Sequence, residues 1–206
     1  VLTHRNLLFQ THAYFADIDK LAPGDSILHP APLSHGSGCY ALPYFAAGAV
    51  NVIPESGHFE PEEIFALLDH WPNASFFAAP TMVVRLLASG AARMPRNLKT
   101  IIYGGAPMYV ADSLKAIELF GPRLYQLYGQ GEAPMTITGL PQTLHKKDFT
   151  ERLSSCGFAR TGVEVKIFNE KDEELPAHEI GEIVTRSDCV MAGYWKDPGA
   201  TAKALR

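Results

Sequence analysis

Two short stretches hold the residue types that could do chemistry. The first is Tyr128-Gly129-Gln130-Gly131-Glu132, an aromatic ring and a carboxylate set around two glycines. The run before it, Leu124 to Leu127, reads as a buried strand. Ring and acid therefore stand at the carboxyl end of a strand, where open α/β sheets bind ligands. The chemistry this suits is a purine stacked on Tyr128, phosphate near the backbone N–H groups of the glycine turn, and Mg²⁺ on Glu132. Magnesium takes one or two carboxylates plus phosphate oxygens, so a single acid is enough. A strand end with a glycine turn and a surface acid fits the same spacing. A dinucleotide fingerprint does not, because Pro134 stands where its third glycine belongs.

The second stretch is Gly104-Gly105-Ala106-Pro107, which follows the apolar run Thr100 to Tyr103. A strand-to-helix turn explains it, and residues without bulk also let a flat ring lie against the backbone. Two weaker candidates follow. Ser34 and His35, in Pro32-Leu33-Ser34-His35-Gly36-Ser37-Gly38, are sequence neighbours and seldom face each other as nucleophile and base. The loop also lacks the Gly-x-Ser-x-Gly elbow, so a structural histidine is the plainer reading. Gly181-Glu182-Ile183 and Gly193-Tyr194-Trp195 read first as a hairpin strand and a turn. No HExxH and no Walker-type GxxxxGK[ST] is present.

The elements that must position these residues alternate. Thr3 caps a helix expected over His4 to Asp19. Strands are expected at Ser26–His29, Ala49–Ile53, Ala74–Ala78, Thr100–Tyr103 and Arg123–Tyr128, with a further one at Met135–Thr138. Helices are expected at Cys39–Ala47, from Glu60 to Trp71, at Thr81–Ala88 and at Val110–Phe120, the last stopped by Gly121-Pro122. This order predicts βαβ units and a mostly parallel sheet flanked by helices, an α/β fold. The pattern changes after Gly139. Gly139 to Arg152 is polar and aperiodic, a linker or mobile loop. Val163–Ile167 and Glu179–Arg186 pair as a hairpin, and Pro198 starts a helix that the chain end interrupts. Two units are expected: residues 1–142, with an acyl and adenine pocket, and a small β-rich segment, residues 143–206.

The 206 residues carry a formal net charge of −4 and no long basic run, which argues against nucleic acid as a partner. Three widely spaced cysteines argue against a disulfide framework or a zinc site and point to a reducing, cytoplasmic setting. No apolar run is long enough to span a membrane. A start at Val1 and an end at Arg206 inside a helix suggest a piece of a longer protein. Open strand edges could pair two copies into a homodimer.

Taken in order, these motifs resemble those of the adenylate-forming superfamily: acyl-CoA synthetases, peptide-synthetase adenylation domains and firefly luciferase. Val1 to Leu7 looks like the helix after the family's phosphate loop, and Ala31 to His35 like PLxH. Gly104 to Pro107 looks like GGAP, Tyr128 to Glu132 like YGxTE, and Gly181 to Ile183 with Gly193-Tyr194 like GE(L/I)…GY. The resemblance covers essentially the whole chain. It implies attack of a carboxylic acid on ATP to give an acyl-adenylate, then transfer to coenzyme A. It places the nucleotide at Gly104, Gly105, Ala106, Pro107, Tyr128, Gly129, Gln130 and Gly131, Mg²⁺ on Glu132, and the acyl group by His35, Tyr40 and Gly105. It makes Glu132 and His35 the catalytic residues.

Two departures matter. Gly131 replaces the family's phosphate-binding Thr, removing a hydroxyl donor worth about 1–2 kcal/mol at a charged group. The phosphate loop, ribose-binding Asp and catalytic Lys of the family have no counterpart here, so this chain alone is expected to be inactive. Ala31 to Tyr44 contains no acid to hold a substrate amine, which disfavours amino acids and leaves a fatty acid first and an aryl acid second. A non-catalytic nucleotide-binding module and a luciferase-like oxygenase are the competing readings.

Overall fold

The computed structural model describes residues 1–205. In chain order the elements are α1 (His4–Asp17), β1 (Ser26–Leu28), α2 (Gly36–Cys39), α3 (Ala41–Ala46), β2 (Val50–Val52), α4 (Pro61–His70), β3 (Ala74–Ala78), α5 (Pro80–Ala88) and β4 (Leu98–Tyr103). They continue with α6 (Val110–Phe120), β5 (Leu124–Gln130), β6 (Ala133–Leu140), α7 (Thr150–Leu153), β7 (Phe158–Ala159), β8 (Glu164–Phe168), β9 (Glu182–Arg186) and α8 (Pro198–Ala204). Arg206, in the helix expected from Pro198, lies outside the described residues.

The first seven strands form one sheet in the order β2-β1-β3-β4-β5-β6-β7, and β8 pairs with β9 in a second, antiparallel sheet. Every pair from β2 to β5 is parallel. The expected α/β architecture with a small β-rich segment is therefore present. Parallel strands need crossovers on both faces, and the sequence supplies apolar residues for both. Phe76 and Ile101 pack with α4, α5 and α6 through Ile64, Leu68, Val83, Leu86 and Phe120. Their neighbours Phe77 and Ile102 point the other way, onto Tyr14 of α1, Tyr40 and Tyr44. Side-chain alternation along a strand thus yields two cores from one run of apolar residues.

Three local differences from the sequence expectation have physical causes. The helix expected over Cys39 to Ala47 is two short ones that meet at Tyr40. Pro43 lacks an N–H and its ring would strike the carbonyl of Cys39 in a continuous helix, so the chain restarts there. β6 is longer than expected and antiparallel to β5, with Gln130 opposite Ala133. The Gly-x-Gly-Glu stretch is therefore the tip of a hairpin. Gly139 to Arg152, expected as a mobile loop, packs down: it ends β6, forms a 3₁₀ turn at Gln142–Leu144 and begins α7. His145 within it is only 1% exposed.

The hairpin closes because residue 129 has no side chain. A Cβ there would lie 2.4 Å from the Met135 backbone N and 2.9 Å from the Ala133 carbonyl oxygen. Gly129→Ala is expected to destabilise the chain by about 2–3 kcal/mol, as over-packing does. Gly131→Ala, whose Cβ would meet nothing within 4 Å, should change stability little. Urea midpoints of the two variants check this, and equal midpoints would refute it.

Candidate functional site

β4 and β5 are adjacent and parallel, with Tyr103 opposite Gln126. Just past that pair, Gly104 packs against Leu127. The two glycine-bearing strand ends are therefore side by side at the carboxyl edge of the sheet. Gly104 is buried, and a Cβ on it would come 2.7 Å from the Leu127 carbonyl oxygen. Its N–H donates to the Ala78 carbonyl, which extends the β3–β4 ladder. Gly105 has φ +87, and no atom lies within 4 Å of where a Cβ would stand. Gly105, Ala106 and Pro107 are exposed and open.

On the neighbouring strand Tyr128 is half-buried, and its hydroxyl accepts a 2.8 Å hydrogen bond from the Gln130 side-chain amide. Gly129 is half-buried, while Gln130 and Gly131 are exposed at the hairpin tip. Glu132 follows, and the C-terminal segment holds both its backbone and its side chain. Its backbone carbonyl accepts from the Met191 N–H at 2.7 Å, and its carboxylate accepts from the Tyr194 hydroxyl. The Tyr194 hydrogen bond, joined by the residue's own N–H, holds the Glu132 carboxyl below the usual carboxylate range. Tyr194 is pushed up by the same contact. The motif Gly193-Tyr194 thus reaches the acid directly, a link that only the tertiary structure reveals.

A cleft of about 800 Å³ opens between the hairpin and the β8–β9 sheet. Tyr128, Gln130 and Glu132 line one wall, with Lys166 and Arg186 opposite. Gly104 to Pro107 and His35 lie outside it. Lys166 pairs with Glu174 and Arg186 with Glu164, so both cations are already engaged.

His35 caps α2, is exposed, and takes a 3.0 Å contact from the Ser34 hydroxyl at Nδ1. Tyr40 is 1% exposed, tilted against Phe77 at 5.9 Å and edge-on to Tyr14 at 5.6 Å. Burial drives its hydroxyl well above the ordinary tyrosine range. Sequence reasoning passed over His29, a buried ring that contacts Ser37 Oγ through Nδ1 and Asn51 Oδ1 through Nε2, each at 2.8 Å. It ties α2 to the strands β1 and β2. Only its place at a strand end marked it.

Among the described residues no group of three or more His, Cys, Asp or Glu side chains could hold a metal ion. A single acid at a phosphate site is the arrangement magnesium accepts. The open backbone at Gly105 and the partly exposed carboxylate of Glu132 are compatible with a nucleotide and its cation.

The chain belongs to the AMP-binding enzyme family, whose model matches residues 1–195. Among its relatives is a medium/long-chain-fatty-acid–CoA ligase of Mycobacterium tuberculosis, 29% identical over 177 residues, 85% of this chain and 30% of that protein. A feruloyl-CoA synthase from an Amycolatopsis species is 30% identical over 210 residues, 100% of this chain and 41% of that protein. The medium-chain fatty-acid–CoA ligase of Escherichia coli K12 is 30% identical over 213 residues, 100% of this chain and 36% of that protein. The chain thus spans between 30% and 41% of the length of these relatives. Among solved structures, an amide bond synthetase from Marinactinospora thermotolerans superposes with a TM-score of 0.87 at 29% identity, over 98% of this chain and 40% of that one. The O-succinylbenzoate coenzyme A synthetase of Bacillus subtilis, solved with ATP and magnesium ion, shares the fold at 22% identity with a TM-score of 0.86, over 100% of this chain and 41% of that one.

Proposed function

We propose that this chain is the nucleotide- and acyl-binding core of an acid–thiol ligase, which activates a carboxylic acid with ATP and passes the acyl group to coenzyme A. One observation carries the reading. Gly104–Pro107 follows β4 and Tyr128–Glu132 ends and follows β5, its parallel neighbour, so an open backbone, an aromatic ring and an ionised carboxylate stand at the same end of the sheet. In this reading adenine lies between Gly104–Pro107 and the Tyr128 ring, with the turn from Gly129 to Gly131 toward phosphate. Glu132 holds Mg²⁺, which would offset charge on the phosphates when bound. His35, at the start of α2, stands by the acid's carboxylate, and the acyl group runs along Gly105 and the segment through Tyr40. Relatives act on fatty, feruloyl and succinylbenzoate acids by name. The apolar, acid-free segment around α2 and α3 favours a fatty acid, with an aryl acid second. The domain division near residue 142, a cytoplasmic location, the inactivity of the isolated chain and a homodimer through exposed strand edges belong to the same reading.

The open space at residue 131 bears on the missing hydroxyl. Since a Cβ there meets nothing within 4 Å, Gly131→Thr should fold normally and tighten nucleotide binding about fivefold to thirtyfold, the worth of about 1–2 kcal/mol for one hydrogen bond to a charged group. Calorimetric titration with a stable acyl-adenylate mimic, with and without Mg²⁺, tests the whole reading. Tyr128→Ala should weaken binding more than tenfold through lost stacking. Unchanged affinity in that variant would remove the adenine site from Tyr128.

A further inference from the structure

Glu132 is the acid of the candidate site, and one phenol holds its side chain. It stands just past a hairpin tip whose residues Gln130 and Gly131 are exposed. A carboxylate in such a place turns about its own side-chain torsions unless something fixes it. The Tyr194 hydroxyl, 62 residues further along the chain, donates to Oε1. Among the described residues no other side chain donates to this carboxylate and no ion pair reaches it. Tyr194 and Glu132 line the same cleft as Tyr128.

The phenol comes from a braced segment. The Asn6 side-chain amide, buried on α1, donates to the Asp188 and Val190 carbonyls at 2.8 Å each. The Met191 N–H donates to the Glu132 carbonyl at 2.7 Å. The Tyr194 N–H donates to Thr201 Oγ1 on α8 at 2.9 Å. One segment therefore grips the backbone of residue 132 and, three residues on, its carboxylate. Tyrosine also suits the place by charge. It donates one proton and brings no positive charge, whereas a lysine or arginine there would repel a cation bound at the same acid.

We propose that Tyr194 is a positioning residue for the metal-binding step: its hydroxyl takes Oε1, fixes the plane of the Glu132 carboxylate and leaves Oε2 to a divalent cation bound with nucleotide phosphate. This rests on the acyl-adenylate reading and adds to it the residue that aims the acid. Magnesium demands near-ideal octahedral geometry and keeps several of its waters. A lone carboxylate that supplies one oxygen must therefore supply it in a set direction. Carboxylates that bind metals are themselves hydrogen-bonded, and loss of that partner weakens the metal.

Calorimetric titration of the full chain with a non-hydrolysable ATP analogue, with and without Mg²⁺, gives the factor by which the cation tightens nucleotide binding. Tyr194→Phe keeps the ring and removes the hydroxyl. It should reduce that factor about tenfold or more, the usual loss when a metal-binding carboxylate loses its partner, and leave the metal-free affinity unchanged. In a Glu132→Gln background, where the ligating carboxylate is gone, Tyr194→Phe should have no further effect on the factor. An unchanged factor in Tyr194→Phe overturns the inference and leaves the acyl-adenylate reading standing. A larger factor does the same, and shows the hydroxyl competing with the cation for the acid. An equal loss with and without Mg²⁺ also overturns it, since the hydroxyl then serves the fold alone. So does a loss that persists in the Glu132→Gln background. A factor that Glu132→Gln by itself leaves intact takes the cation away from Glu132 and overturns the inference with that part of the reading. Failure of the analogue to bind in either condition overturns both.

Discussion

Arg160→Met is expected to lower the stability of the chain by about 3–5 kcal/mol, the cost of breaking a buried ion pair from one side. The Arg160 side chain is 2% exposed, and that of its partner Asp17 is 15% exposed, with Nε 3.0 Å from the carboxylate. The guanidinium also donates to the Met135 carbonyl at 2.9 Å and the Ala13 carbonyl at 2.6 Å, and it lies over the Tyr125 ring. It therefore fastens α1 to β6, and with β6 the hairpin that bears Glu132. Methionine keeps the stem's packing and removes every donor. Asp17 is left near the protein interior with only the Thr161 N–H and hydroxyl. Adding Asp17→Asn should recover part of the loss, because the stranded charge goes with it. Urea denaturation of the single and double variants measures both effects. A single-variant cost under about 1 kcal/mol would show that the pair behaves as an exposed one.

The second large effect is acid sensitivity through His145. Its Nδ1 lies 3.1 Å from the Pro141 carbonyl, which can only accept, so that nitrogen carries the proton. Nε2 then accepts from the Tyr103 hydroxyl at 3.0 Å. The ring is neutral, and burial lowers its pKa to about 4 against the Pro141 hydrogen bond, which works the other way. Above pH 6.5 folded and unfolded states are both unprotonated and His145 imposes no pH dependence. Between 6.5 and 4 the unfolded chain binds a proton that the folded one refuses. Stability then falls with pH, by about 3 kcal/mol in all, and levels off below 4. His29, lowered by burial, acts in the same direction, and Asp19, raised by burial, acts against it. His145→Gln can keep both hydrogen bonds without the titration. The difference between parent and variant across that window isolates the histidine, and parallel pH profiles would disprove its role. The consequence reaches the site, because Tyr103 is the last residue before Gly104.

Much of this was legible in the residues. Paired glycine motifs at strand ends and apolar runs of strand length placed Gly104–Pro107 and Tyr128–Glu132 at one sheet edge. Less legible was whatever depends on partners distant in sequence. Arg160 looks like any surface arginine until Asp17, 143 residues earlier, is folded against it. His145 sits in a polar stretch whose burial no periodicity announces. The hairpin was obscured because Ala133 and Pro134 suggest a break, and because Met135 adopts φ +61, a left-handed conformation rare for such a side chain. That twist accompanies the irregular register between Tyr128 and Gln130, and it is set by the closing of the hairpin rather than by the residue's own preference.

The antiparallel pairing of β5 with β6 also bears on the order in which the molecule assembles. Two residues join these strands, so their closure costs little chain entropy and is a microsecond event. The parallel strands β1, β3 and β4 meet only after whole crossovers have been drawn in, a slower search. The ring and the acid of the candidate site thus ride on the part of the sheet that can form first. The Gly104–Pro107 backbone follows β4, one of the strands that need those crossovers.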